Sequence, residues 1–143
     1  MIYLDHNATT PVDPAVADRM AWFLREHFGN PSSIYPIGRK VKELMNEARE
    51  RVAGSLGVDR GEIFFTGSGT ESDNFAVFGT LESAPEKNEF VTSAIEHPAV
   101  IEAAKALERR GVKVAYLPVD KYGAVSLDDL RSALTPKTAL VSV

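Results

Sequence analysis

Ten residues, Phe65-Thr66-Gly67-Ser68-Gly69-Thr70-Glu71-Ser72-Asp73-Asn74, carry the densest candidate chemistry in this chain. An apolar run leads into a glycine-rich turn, and a helical pattern starts at once. The first N–H groups of a helix have no internal partner, and the helix dipole adds partial positive charge beside them. Gly67 and Gly69 let the backbone come close to a ligand, and the Ser68 and Thr70 hydroxyls can donate. Such a turn suits a phosphate. It is not a dinucleotide fingerprint, which needs a third glycine where Ser72 stands, and it lacks the Gly-Lys-Ser/Thr of a P-loop. A plain helix cap made by Ser68 and Glu71 accounts for the same residues without any ligand. The phosphate reading requires Glu71 and Asp73 to turn away from the anion.

Ile95-Glu96-His97-Pro98 is the second candidate. His97 follows an apolar strand and directly precedes a proline helix start. Thr70 and His97 are both expected beyond the carboxyl ends of parallel strands, the rim where open α/β sheets bind ligands. The bland alternative is that His97 only caps its helix. Asp5-His6-Asn7-Ala8-Thr9-Thr10 is rich in small polar side chains, as a surface tail also is. Phe28-Gly29-Asn30-Pro31-Ser32-Ser33 reads equally as a structured linker or as a loop reaching a ligand. His6 has no spaced partners and makes a poor metal ligand, and no metal site is expected. His27 reads as a favourable cation at a helix end.

The elements that must position these residues alternate between strand and helix. Asp13-Pro14 is an N-cap followed by proline at the first helical position, opening a helix to about Glu26 with Val16, Met20, Phe23 and Leu24 inward. Val41, Leu44, Met45, Ala48, Val52 and Leu56 recur at three- and four-residue steps, and Gly57 ends that helix. Strands are expected over Ile63–Thr66, Glu89–Ala94, Val112–Leu117 and Ala139–Val143, and helices over 70–83, 98–110 and 126–134. Ser126 and Asp129 form a capping box, with Leu127, Leu130 and Leu134 inward. This alternation predicts a parallel sheet covered on both faces. Ile63–Phe65 and Ala139–Val143 are apolar enough to be buried on both sides. The chain stops inside an apolar strand and reads as cut.

Composition narrows the classes further. The 143 residues fit one ordinary domain, and 16 Lys and Arg against 20 Asp and Glu leave a net charge of −4. That balance gives no drive toward nucleic acid or an anionic membrane. With no cysteine, the chain has no disulfide, thiolate metal site or cysteine nucleophile of its own. No apolar run approaches the ~20 residues of a membrane span, and the first residues lack the pattern of a signal peptide. A cytoplasmic protein is expected.

Tyr3-Leu4-Asp5-His6-Asn7-Ala8-Thr9-Thr10-Pro11, Phe28-Gly29-Asn30-Pro31-Ser32-Ser33, Phe64 to Asn74 and Glu96-His97-Pro98-Ala99-Val100, in this order and spacing, closely resemble the start of cysteine desulfurases of the NifS/IscS type. These are pyridoxal-phosphate enzymes of the class V aminotransferase group, and the resemblance runs the whole chain. It implies the type I pyridoxal-phosphate transferase fold, of which this would be the incomplete N-terminal part of the large α/β domain. Residues 1–13 would associate with the small domain, and 14–143 would begin the large one. It implies a homodimer that converts L-cysteine to L-alanine and passes a persulfide to an acceptor scaffold protein for iron–sulfur or thio-cofactor assembly. Gly69 and Thr70 would hold the cofactor phosphate. His97 would stack on the pyridine ring and assist proton transfer. Asn7, Ala8, Thr9 and Asn30 match stretches near the active-site entrance. Many members read Ser-Gly-Ala-Thr-Glu where this chain has Gly67 to Glu71, and many have His where Tyr35 stands. The family's lysine follows a histidine, and no His-Lys pair occurs here. The chain alone is therefore expected to be inactive. Another class V aminotransferase-like enzyme, a selenocysteine lyase and a non-catalytic phosphate-binding module are the alternatives.

Overall fold

The computed structural model describes residues 2–143. They fall into two compact units, one ending at Phe64 and one spanning Phe65–Val143.

The first unit is helical. The Asp13 carboxylate accepts from the Ala15 N–H at 2.8 Å and starts α1 (Pro14–Glu26), with proline where a missing N–H costs nothing. None of the α1 side chains is buried, so the inward stripe expected of Val16, Met20, Phe23 and Leu24 is not realised in this unit. α2 (Pro36–Leu56) buries Gly38, Val41 and Ala53, and ends at Gly57 in the left-handed region, φ 69°. A 3-10 turn over Arg60–Glu62 follows, closed by a reciprocal Asp59–Glu62 capping box.

The second unit is a three-stranded parallel sheet with helices. In chain order it holds α3 (Gly69–Ser83), β1 (Glu89–Ser93), α4 (Pro98–Arg109), β2 (Lys113–Leu117), α5 (Leu127–Ala133) and β3 (Thr138–Ser142). The strand order is β2-β1-β3, and both pairings are parallel. The core gathers Val77 and Leu81 of α3, Phe90 of β1, and Val100, Ala103, Ala104 and Leu107 of α4. Phe90 and Val91 point to opposite faces, and both are buried, so the central strand is covered on both sides.

Three further expectations change. Ile63–Thr66 is not a strand of this sheet, and its Phe64 and Phe65 are 67% and 49% exposed. Apolarity announces a tendency to be buried, whereas a strand also needs a neighbour to complete its ladder. β3 is half-buried rather than enclosed, because it is an edge with one neighbour, and Val143 is exposed. α5 caps as expected, with Ser126 Oγ accepting from the Asp129 N–H, yet Leu127 and Leu134 stay exposed because seven residues cover little of β2.

Glu89 ties the sheet's entry together. One carboxylate oxygen accepts from the Thr135 hydroxyl at 2.6 Å, the other from Lys113 at 3.2 Å. The Thr135 bond, with Lys113 beside it, holds the Glu89 carboxyl below the ordinary glutamate range. A depressed carboxylate contributes stability above its unfolded pKa and loses it as pH falls through the folded one. Glu89→Gln should therefore flatten the acid limb of the stability-versus-pH curve, read by thermal unfolding from neutral pH downward. An unchanged acid limb would contradict the tie.

Candidate functional site

The glycine turn is built by its own hydroxyls and one carboxylate. Ser68 caps α3, its Oγ accepting from the Glu71 N–H at 3.2 Å. Glu71 does not complete the expected box at the Ser68 amide. Its Oε2 accepts from the Gly67 N–H at 2.6 Å, one residue earlier. Thr66 donates its hydroxyl to the Ser68 carbonyl at 3.1 Å and pairs with Ser72 Oγ at 2.6 Å.

These bonds leave a specific pair of donors open. Gly69 and Thr70 are the first two residues of α3, where no intrahelical acceptor exists for their N–H groups. No protein group accepts from either among the described residues. A Cβ built on Gly69 would meet nothing within 4 Å, so the side-chain position of Gly69 is open. The Glu71 carboxylate is held on the Gly67 N–H rather than on the N–H groups of Gly69 and Thr70. The donor set fits a phosphate.

Gly69 is in ordinary helical conformation rather than at positive φ, so no backbone strain demands glycine there. Gly69→Ala should stabilise α3 by about 0.4–1 kcal/mol, through loss of unfolded-chain entropy. It should leave phosphate affinity within a few-fold. Thermal unfolding and ligand titration check the two halves separately.

His97 performs the cap role weighed for it in the sequence. It is the N-cap of α4, its Nδ1 accepting from the Ala99 N–H at 3.1 Å. With Nδ1 an acceptor, the neutral ring carries its proton on Nε2, which is left for a ligand. Glu96 Oε1 accepts from the Ser142 hydroxyl at 2.6 Å and Oε2 from the His97 N–H at 3.3 Å, joining the end of β3 to this turn.

Thr70 and His97 line one open cleft of about 410 Å³, with Asn74 and Phe78 of α3 and Glu102 of α4. The sheet rim did not predict this route, since no strand precedes the glycine turn. The packing of α3 on α4 brings the two residues to a common wall. Asn74 was not singled out by its type. Its Nδ2 donates to the Thr70 carbonyl at 2.8 Å, and the four-residue spacing from Thr70 is the signal that places both on one helix face.

The remaining candidates lie in the first unit. A turn over His6–Ala8 is closed by the Ala8 N–H on the Asp5 carbonyl at 3.1 Å, with Asn7, Ala8 and Thr9 exposed. Asn30 Oδ1 accepts from the Ser32 N–H at 2.8 Å, and the Asn30 carbonyl accepts from Ser33 Oγ at 2.6 Å. A side chain on Gly38 would collide with that turn. His27 packs its ring on Trp22 at 4.1 Å between centroids, and its buried Nε2 has no partner among the described residues. No convergence of three or more His, Cys, Asp or Glu side chains exists among the described residues.

Comparison with known proteins gives the fold a context. Over 143 residues the chain is 48% identical to the cysteine desulfurase IscS of Methanosarcina thermophila, covering 99% of this chain and 35% of that protein. It superposes on a solved NifS-like protein with a TM-score of 0.91 and 43% identity, over 98% of this chain and 39% of the other. A structure of SspA in complex with cysteine matches with a TM-score of 0.88 and 34% identity, over 97% and 40%. The fold is thus the N-terminal part of the NifS-like architecture, and the chain spans about a third of the length of the curated relatives it matches. The sequence pattern of the aminotransferase class-V family matches residues 2–143, and the chain belongs to that family.

Proposed function

We propose that this chain is the cofactor-binding N-terminal portion of a pyridoxal-phosphate-dependent cysteine desulfurase. The observation that carries it is the shared cleft of Thr70 and His97, with two free helix-start N–H groups beside it. Relatives named cysteine desulfurase, and a related structure holding cysteine, support the substrate class.

Gly69 and Thr70 would hold the phosphate through their N–H groups and the Thr70 hydroxyl. Asn74 fixes the Thr70 carbonyl and so the first turn of α3. The Ala99 N–H fixes the His97 ring, which would stack on the pyridine ring when the cofactor is bound and assist proton transfer. Pyridoxal phosphate, when bound, supplies an electron-withdrawing ring that stabilises negative charge on the substrate carbon. Asn7, Ala8, Thr9 and Asn30 are proposed to meet the substrate.

In the complete protein, residues 1–13 would associate with the small domain and 14–143 would begin the large one. The proposed assembly is a homodimer in the cytoplasm that hands persulfide sulfur to an acceptor scaffold protein for iron–sulfur or thio-cofactor assembly. No helix among the described residues is long and apolar enough to cross a membrane. The 143 residues contain no cysteine and no His-Lys pair, so sulfur uptake and covalent attachment of the cofactor fall to residues outside them. These residues alone would turn over no cysteine.

The test is to load the full-length protein carrying this chain with pyridoxal phosphate and add L-cysteine and a thiol reductant. Alanine and sulfide should appear in equal amounts. Turnover of selenocysteine alone, or amino transfer without sulfide, would replace this reading with another class V reaction.

A further inference from the structure

The Glu71 carboxylate has no part in the phosphate contacts proposed above, yet it makes one of the shortest bonds in the turn. We propose that Glu71 is a positioning residue that shapes the Gly67–Thr70 turn for a phosphate, an inference that rests on the phosphate reading of that turn. Glu71 grips the turn at two points. Its N–H reaches Ser68 Oγ at 3.2 Å, and its Oε2 takes the Gly67 N–H at 2.6 Å. The Thr66 hydroxyl, bonded to the Ser68 carbonyl and to Ser72 Oγ, closes the other side. The turn is thereby folded against the first turn of α3, with Gly67 N–H consumed and those of Gly69 and Thr70 presented.

A free carboxylate at a helix start would compete with an anion for the same donors. Holding Glu71 on Gly67, upstream of α3, removes the competitor and uses it as a strut. Gly67 fits the same device. A Cβ there would sit 3.2 Å from Glu71 Oε2, closer than ordinary contact, so the carboxylate would have to give by a few tenths of an ångström.

The geometry of the acceptor, rather than its charge, is what the proposal requires. Glutamine keeps an acceptor at the same reach without charge. Aspartate keeps the charge one methylene short of it. Alanine keeps neither. The measurement is the ratio of dissociation constants for pyridoxal and pyridoxal 5′-phosphate in the full-length protein. A general loss of folding weakens both ligands alike and leaves that ratio unmoved.

The two N–H bonds alone predict a wild-type preference for the phosphorylated ligand of at least about 100-fold. Glu71→Gln should keep that ratio, whereas Glu71→Asp and Glu71→Ala should each lower it about tenfold. A ratio that Asp preserves and Gln loses overturns the proposal, because charge then decides. A ratio that all three variants keep overturns it too, with the phosphate site intact. A wild-type ratio near one removes the phosphate reading itself, and the role of Glu71 with it.

Discussion

Phe90→Ala is expected to remove about 3–5 kcal/mol from the stability of the α/β unit. Phe90 is fully buried at the centre of β1. It sits between Val114 of β2 and Leu140 of β3 in the ladder, and in one cluster with Val77, Leu81, Val100, Ala103, Ala104 and Leu107. Truncation there loses the transfer energy of the ring and also leaves a cavity. The strand ladder holds one wall and two helices the other, so collapse is limited. Against a total stability of about 5–15 kcal/mol, a loss of that size leaves little margin. Phe90→Leu keeps most of the volume and should cost less than half as much. Urea unfolding followed by circular dichroism reads both variants, with an unchanged slope confirming that stability rather than compactness moved. A loss under about 1 kcal/mol for alanine would mean that the core repacks, contrary to the enclosed position of the ring.

Features set by a few neighbouring residues were legible in the sequence. Asp13-Pro14, Gly57, Ser68 and Ser126 each announce a helix end through local backbone chemistry, and each does so in the structure. Features set by distant partners were not. Ile63–Thr66 carries the composition of a buried strand, but pairing depends on which other segments reach it, and the sheet forms from β1, β2 and β3 instead. The apolar faces of α1 and β3 likewise state a demand for cover without naming what supplies it. The site shows the same division. The free donors at Gly69 and Thr70 follow from a helix start alone. The meeting of Thr70 with His97 depends on α3 packing against α4, and the shift of Glu71 from the Ser68 amide to Gly67 depends on a turn angle that no motif encodes.

His97 carries a structural role and the proposed chemical role on one side chain, and substitution can pull them apart. Its Nδ1 accepts from the Ala99 N–H at 3.1 Å, so His97→Ala should cost α4 about 1 kcal/mol, the usual loss of an N-cap. Asparagine is among the best N-cap residues, and His97→Asn should restore nearly all of that stability. Neither variant supplies an imidazole with a free Nε2 in the cleft beside Thr70. Under the proposed desulfurase reading, both should lose about 10²–10⁴-fold in turnover of L-cysteine by the full-length protein, the usual contribution of a positioned acid–base group. Stability and turnover are therefore expected to separate in the asparagine variant and to fall together in the alanine one. Thermal unfolding gives the first quantity, and alanine release from cysteine gives the second. If His97→Asn turned over at the wild-type rate, the ring would have no part in the chemistry, and His97 would be a helix cap and nothing more.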